Sequence, residues 1–172
     1  MERVWSPWRM EYILGEKPGE CVFCAKPQEA DDLENLILLR GQHCYVMMNR
    51  YPYNNGHLMV VPYAHVDTPT ALSGDAVTEM MLEVNVCLEA LTEVMRPDGF
   101  NTGMNLGSVA GAGIKDHIHV HIVPRWQGDT NFMPVIAETH VIVESLHKTY
   151  EKLRPSFDCR CELVLPPTPG PK

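Results

Sequence analysis

Cationic side chains are in short supply: 14 lysines and arginines stand against 22 aspartates and glutamates, a formal charge of −8 over 172 residues. Such an acidic surface repels phosphodiester backbones and anionic lipid headgroups. It excludes broad electrostatic binding to nucleic acid or membrane, though not a local basic pocket. Long apolar runs are missing too, and none approaches the roughly 20 residues of a membrane span. The opening "MERVWSPWRMEYILGE" carries charges throughout and has no continuous apolar stretch of the kind a secretory signal uses. The chain is therefore expected to be cytoplasmic. Internal repeats and low-complexity segments are absent. Six cysteines in such a protein read as thiols or metal ligands rather than as a disulfide framework.

What is present suits one soluble domain, with 45% hydrophobic and 21% charged residues. A domain over 1–155 is expected, with its core in about 20–130 and a partly disordered tail, 156–172, ending "PPTPGPK". The ten methionines, Met80 and Met81 among them, read as core filler. The segments 36–40, 44–49, 57–63, 100–106 and 117–125 are five candidate strands. "RYPYNNG" between the second and third supplies turn chemistry, so those two form an antiparallel hairpin. Val77, Met80, Met81, Val84, Leu88, Leu91 and Met95 follow helical spacing on one predicted face, with Ser73 as N-cap and Pro97 and Gly99 as the stop. A second helix is predicted over roughly 139–153. Strands in runs with separate helices give an α+β class with a mainly antiparallel five-stranded sheet, a long helix and a C-terminal helix.

Three short motifs carry chemistry. "GECVFC" places Cys21 and Cys24 at C-x-x-C spacing, which lets two thiolates share a tetrahedral zinc or form a redox dithiol. The redox reading wants a neighbouring βαβ unit, which "AKPQEADDLEN" does not offer. His65 and His117 are candidates to complete a Cys2His2 set. "NLGSVAGAGIKDH" holds Gly107, Gly111 and Gly113 in a loop whose backbone amides can approach an anion closely. Immediately after it, "HIHVHIVPR" sets His117, His119 and His121 on alternate positions. In an extended chain these imidazoles point to one side, roughly 6.5–7 Å apart, with Ile118, Val120 and Ile122 on the other. A neutral imidazole is a nucleophile for phosphorus near pH 7, provided one ring nitrogen is held by donating its proton to a neighbour.

These motifs together resemble the histidine triad (HIT) family of nucleotide hydrolases and transferases, whose H-x-H-x-H signature is matched by "HIHVH". "MNRYPYNNGHLMVVPYAH" resembles that family's ribose-binding hairpin and following strand. "WSPWRMEYI" and "VPRWQGDTNFMPVI" resemble the branch containing bacterial diadenosine tetraphosphate phosphorylases. The resemblance covers residues from about 5 to 155. It implies that His119 is the nucleophile forming a nucleotidyl-histidine and that His121 contacts the α-phosphate. Asn49 would bind a ribose hydroxyl, and Asn105 would contact phosphate. It further implies a structural zinc on Cys21, Cys24, His65 and His117, a base pocket near Phe23, Leu38 and Met47, and a homodimer. The substrate would be a nucleotide, an adenine dinucleotide polyphosphate first. One departure stands out: where many members have a Gln followed by Ser or Thr, this chain has "AGAGIKDH". Phosphate contacts would then come from backbone amides, at Gly111 and Gly113, or from Lys115. A purine nucleoside phosphoramidase, a nucleotide-binding regulatory module without turnover, and a metal site using all three triad histidines are the alternative readings.

Overall fold

A computed structural model describes residues 20–129 and 144–159. The Trp-rich opening, "NFMPVI", Cys161 and the C-terminal tail lie outside those residues. Five strands, β1 (Ile37–Arg40), β2 (Cys44–Met48), β3 (Leu58–Pro62), β4 (Gly99–Gly103) and β5 (Val120–Arg125), form one sheet in the order β1-β2-β3-β5-β4. Every neighbouring pair is antiparallel. The described helices are α1 (Val22–Ala25), α2 (Asp32–Asn35), α3 (Gly74–Met95) and α4 (Leu146–Asp158). The expected α+β class holds, as does the β2–β3 hairpin. Gly56 sits at its turn with φ +73, where a Cβ would lie 2.6 Å from the Met95 sulfur.

Both faces of the sheet are covered, and strict alternation sorts the side chains between them. Cys44, Val46 and Met48 of β2, Leu58 and Val60 of β3, and Val120 and Ile122 of β5 pack against α3 and α4. Tyr45, Met47, Met59 and Val61 form a smaller cluster on the other face, with Phe23 of α1. Each strand of the hairpin is therefore buried along its whole length.

Helix α3 begins as predicted, with Ser73 Oγ accepting from the Ala76 amide at 3.2 Å. It ends at Met95, two residues before Pro97, with Arg96 left-handed at φ 49. Its buried face is rotated from the predicted one. Val77 and Met81 are exposed, whereas Glu79 and Glu83 are buried with Met80, Val84, Cys87 and Leu91. Apolar spacing misled here because the carboxyl groups, not the two apolar side chains, meet the end of β2. Helix α4 starts at Leu146 rather than near 139, capped by Ser145, and continues through Pro155 to Asp158. The segment 139–143 lies outside the described residues.

The histidine strand also starts later than predicted, at Val120 rather than His117. The Ile118 amide donates to the Val66 carbonyl at 2.7 Å, so this stretch pairs with the loop after β3 rather than with the β3–β5 ladder. Alternation survives: Ile118, Val120 and Ile122 are buried as the row opposite the histidines.

Candidate active site and metal centre

Helix α1 is a single turn with Cys21 at its N-cap and Cys24 within it. That turn brings Cys21 and Cys24 to the loop carrying His65 and to His117. One potential ligand atom from each of the four lies within 4.8 Å of the others. His117 Nδ1 is 3.3 Å from Cys21 Sγ and 3.5 Å from Cys24 Sγ, and His65 Nδ1 is 3.3 Å from Cys24 Sγ. Tetrahedral zinc with ordinary bond lengths puts its sulfur and nitrogen ligands about 3.6 Å apart. The donor set fits in chemistry as well as in spacing. His117 Nε2 lies 2.8 Å from the Pro62 carbonyl and must donate to it, which leaves Nδ1 with a lone pair facing the thiols. Burial, followed by the neighbouring Cys21, raises the Cys24 pKa, a repulsion that a divalent cation would reverse. Cys44 and Cys87 are buried thiols pushed up by desolvation, far from this cluster's chemistry.

Hydrogen bonds also fix the other imidazoles. His119 Nδ1 is 3.0 Å from the His117 carbonyl, which can only accept. The ring proton therefore sits on Nδ1 and the lone pair on Nε2. Burial lowers the His119 pKa, partly offset by that hydrogen bond, so the ring is neutral near pH 7. Phe23 packs on it with ring centroids 4.8 Å apart. For His121 the relay runs through His57. The Tyr53 amide donates to His57 Nδ1 at 3.1 Å, so neutral His57 carries its proton on Nε2. That nitrogen lies 2.9 Å from His121 Nδ1 and donates to it. His121 is left with its own proton on Nε2. One imidazole thus offers a lone pair and its neighbour, at a centroid distance of 4.6 Å, an N–H.

Both rings line a cavity of about 350 Å³ whose walls include Phe23, Met47, Asn49, Met59, Gly113 and Ile114. Asn49, the expected ribose ligand, is held by its Oδ1, which accepts from the Tyr51 amide at 2.9 Å. Of the expected phosphate ligands in the loop before the histidines, only Gly113 reaches the wall. Asn105 sits outside it, with Nδ2 donating to the Gly111 carbonyl at 3.5 Å. Gly111, at φ +86, closes that loop. Lys115 is exposed and lies 3.9 Å from Asp116. Phe23 and Met47 line the cavity, but Leu38 points to the helix face, because one step along β1 reverses the side chain.

The wall residue Met59, and His57 behind His121, were not singled out in the sequence, although both carry a signal that could have found them. Met59 pairs with His121 across β3–β5, and residue 57 is two positions earlier on the same face. Lys26 and Asn35 also line the cavity, and nothing local in the sequence marks them.

The five-stranded antiparallel sheet carries an imidazole row and a cavity on one face, and both its sequence and its fold match known proteins. The HIT domain model matches residues 31–128. The chain is 39% identical over 157 residues to AP-4-A phosphorylase of Mycobacterium tuberculosis, covering 87% of this chain and 80% of that one. It is 29% identical over 93 residues to bis(5'-nucleosyl)-tetraphosphatase (asymmetrical) of Schizosaccharomyces pombe, covering 54% of this chain and 50% of that one. A zinc-bound histidine triad protein from Mycobacterium smegmatis superposes with TM-score 0.64 at 23% identity, covering 81% and 94% of the two chains. This chain belongs to the HIT family.

Proposed function

We propose that this protein is an enzyme that cleaves dinucleoside 5'-polyphosphates, diadenosine tetraphosphate foremost, through a nucleotidyl intermediate on His119. The observation that carries the reading is the pair of fixed tautomers: a lone pair on His119 Nε2 beside an N–H on His121 Nε2, both at one cavity wall. His119 Nε2 forms a bond to the α-phosphorus, and the bond from that phosphorus to its bridging oxygen breaks. ATP leaves. His121 donates to a non-bridging α-phosphate oxygen as charge builds there. An oxygen of inorganic phosphate then attacks the α-phosphorus, the P–N bond breaks, and ADP is released.

The 39% identical AP-4-A phosphorylase favours phosphate as the acceptor. A second reading, with water as the acceptor and AMP as the product, draws support from the tetraphosphatase relative. Zinc on Cys21, Cys24, His65 and His117 would have all four positions filled by protein, a closed site that supplies structure rather than chemistry. It would pin α1, and Phe23 with it, over His119.

Product analysis of diadenosine tetraphosphate with and without inorganic phosphate separates the readings. Phosphate-dependent ADP plus ATP is the expected result. AMP plus ATP regardless of phosphate would make the protein a hydrolase. No product in either condition would leave a nucleotide-binding module.

A further inference from the structure

The cavity that holds His119 and His121 has a second end. In register, His121 of β5 pairs with Met59, Met59 with Met47, and Met47 with Ile37. Three inter-strand steps of about 4.8 Å carry the row roughly 14 Å from the imidazoles. Asn35, two residues before Ile37, lines the cavity at this end, and Lys26, one turn after Phe23, lines it too and is brought there by its hydrogen bond to Asn35. Asn49 lies between the two ends, directly after β2. A nucleotide with its α-phosphorus at the histidines and its ribose at Asn49 would lay its base over Met47 and Met59 and direct the base's outer edge at Lys26 and Asn35.

That end is built as a polar chain inside an apolar pocket. Lys26 Nζ donates to Asn35 Oδ1, and Asn35 Nδ2 donates to Glu29 Oε2 at 2.7 Å. Asn35 is 1% exposed. Its amide cannot turn over, because the reverse orientation would set the NH2 against an ammonium and the carbonyl against a carboxylate. Lys26 is half-buried, and among the described residues no carboxylate lies within ion-pair range of it. One of its three N–H groups holds Asn35, and the others remain for a ligand. A surface tether between α1 and α2 would be served as well by an ion pair to Glu29. Here an amide is interposed instead, and the ammonium stays at the cavity wall.

We propose that Lys26, positioned by Asn35 and Glu29, reads the base and tilts selection toward guanine over adenine. This rests on the nucleotidyl-transfer reading of the same cavity. An ammonium can only donate. Guanine offers two adjacent acceptors, O6 and N7, to such a donor, whereas adenine sets an amino group beside N7. The substrate range therefore extends to guanine dinucleoside polyphosphates, and Lys26 sets how the two purines rank.

The test is the ratio of kcat/KM for diguanosine tetraphosphate to that for diadenosine tetraphosphate, measured for the full chain, Lys26→Met and Lys26→Arg. The ratio is expected to fall roughly tenfold or more in Lys26→Met and to stay near the parent value in Lys26→Arg, which keeps a donor. Equal losses on both substrates, or an unchanged ratio, would reduce the chain to a tether and overturn the proposal while leaving the activity standing. If the parent protein cleaves neither dinucleotide, the enzymatic reading has failed instead. Equilibrium binding of GMP and AMP to the same three proteins then decides the base reader on its own: the GMP-to-AMP affinity ratio falls in Lys26→Met, or the proposal is wrong. Melting curves confirm that each variant is folded.

Discussion

On one face of the sheet His57, His117 and His119 are buried, and on the other Glu79 and Glu83 are. The imidazoles form a fully partnered set: a carbonyl, an amide or another imidazole fixes each ring, and each fixed proton leaves a defined atom for chemistry. The carboxyls do not. Glu79 Oε1 accepts from the His43 and Cys44 amides at 2.7 and 2.9 Å and is a satisfied carboxylate. Among the described residues neither oxygen of Glu83 has a hydrogen-bond partner. Burial, and then the charge of Glu79, pushes Glu83 up to about 9, so it is a neutral acid at pH 7. A Cβ at Gly41 would collide with the carboxyl oxygens of both, so glycine there makes the room they occupy. Ionisable groups on the cavity side are organised to present specific atoms, and on the helix side one is simply kept uncharged.

The contrast can be broken most severely at His119. His119→Asn keeps a polar side chain of similar reach but removes the proposed nucleophile. Turnover should fall by about three orders of magnitude or more while nucleotide affinity, read by calorimetry, stays within a few-fold. Turnover that persists would mean the fixed lone pair is not what attacks.

Next comes the candidate metal cluster, Cys21, Cys24, His65 and His117, beside the row. Stripping the metal with a chelator should cost several kcal/mol of stability in thermal unfolding, because the site joins α1, the loop after β3 and the residue before Ile118. The rate per folded molecule should drop less. Equal losses of rate and stability would contradict a purely structural role.

The smallest effect, and the one that sharpens the comparison, is on the helix side. Glu83 has its folded pKa raised above the ordinary glutamate range. Its protonated form is therefore favoured by folding, and the stability it contributes is complete at acid pH and is lost as pH rises toward about 9. Glu83→Gln stays neutral at every pH and can donate to Glu79. It should stabilise the protein by about 1–2 kcal/mol at pH 8, with the gain vanishing near pH 5. A stability difference independent of pH would show that Glu83 is ionised in the folded protein.

Much of this was legible in the chain because it is written at short range. Period-two alternation puts His57, Met59 and Val61 on one side of "HLMVVP" and His117, His119 and His121 on one side of "HIHVH", since successive side chains on an extended backbone must point opposite ways, and the β3–β5 register then brings the two sides to one face. C-x-x-C spacing requires only one helical turn. Ser73 caps α3 through its own third-neighbour amide. Where local rules competed with packing, they lost. The apolar stripe of α3 pointed to Val77 and Met81, but the fold buries Glu79 and Glu83, because contact with Gly41 and the β2 amides decides the helix phase.

What the sequence determined by itself is the class of chemistry: a row of imidazoles, two thiols at ligand spacing and an alternating hairpin, each fixed by covalent geometry over a few residues. What only the tertiary structure decided is which atom of each residue does the work. His65 and His117 reach Cys21 and Cys24 across separations of 41 and 96 residues. His57 reaches His121 across 64. Lys26 reaches the cavity through Asn35, which precedes β1, and only the pairing of β5 with β3, β3 with β2 and β2 with β1 puts that wall and the histidines on one surface. Tautomers, ligand atoms and cavity walls depend on hydrogen-bond partners brought from distant parts of the chain, and no local periodicity encodes those.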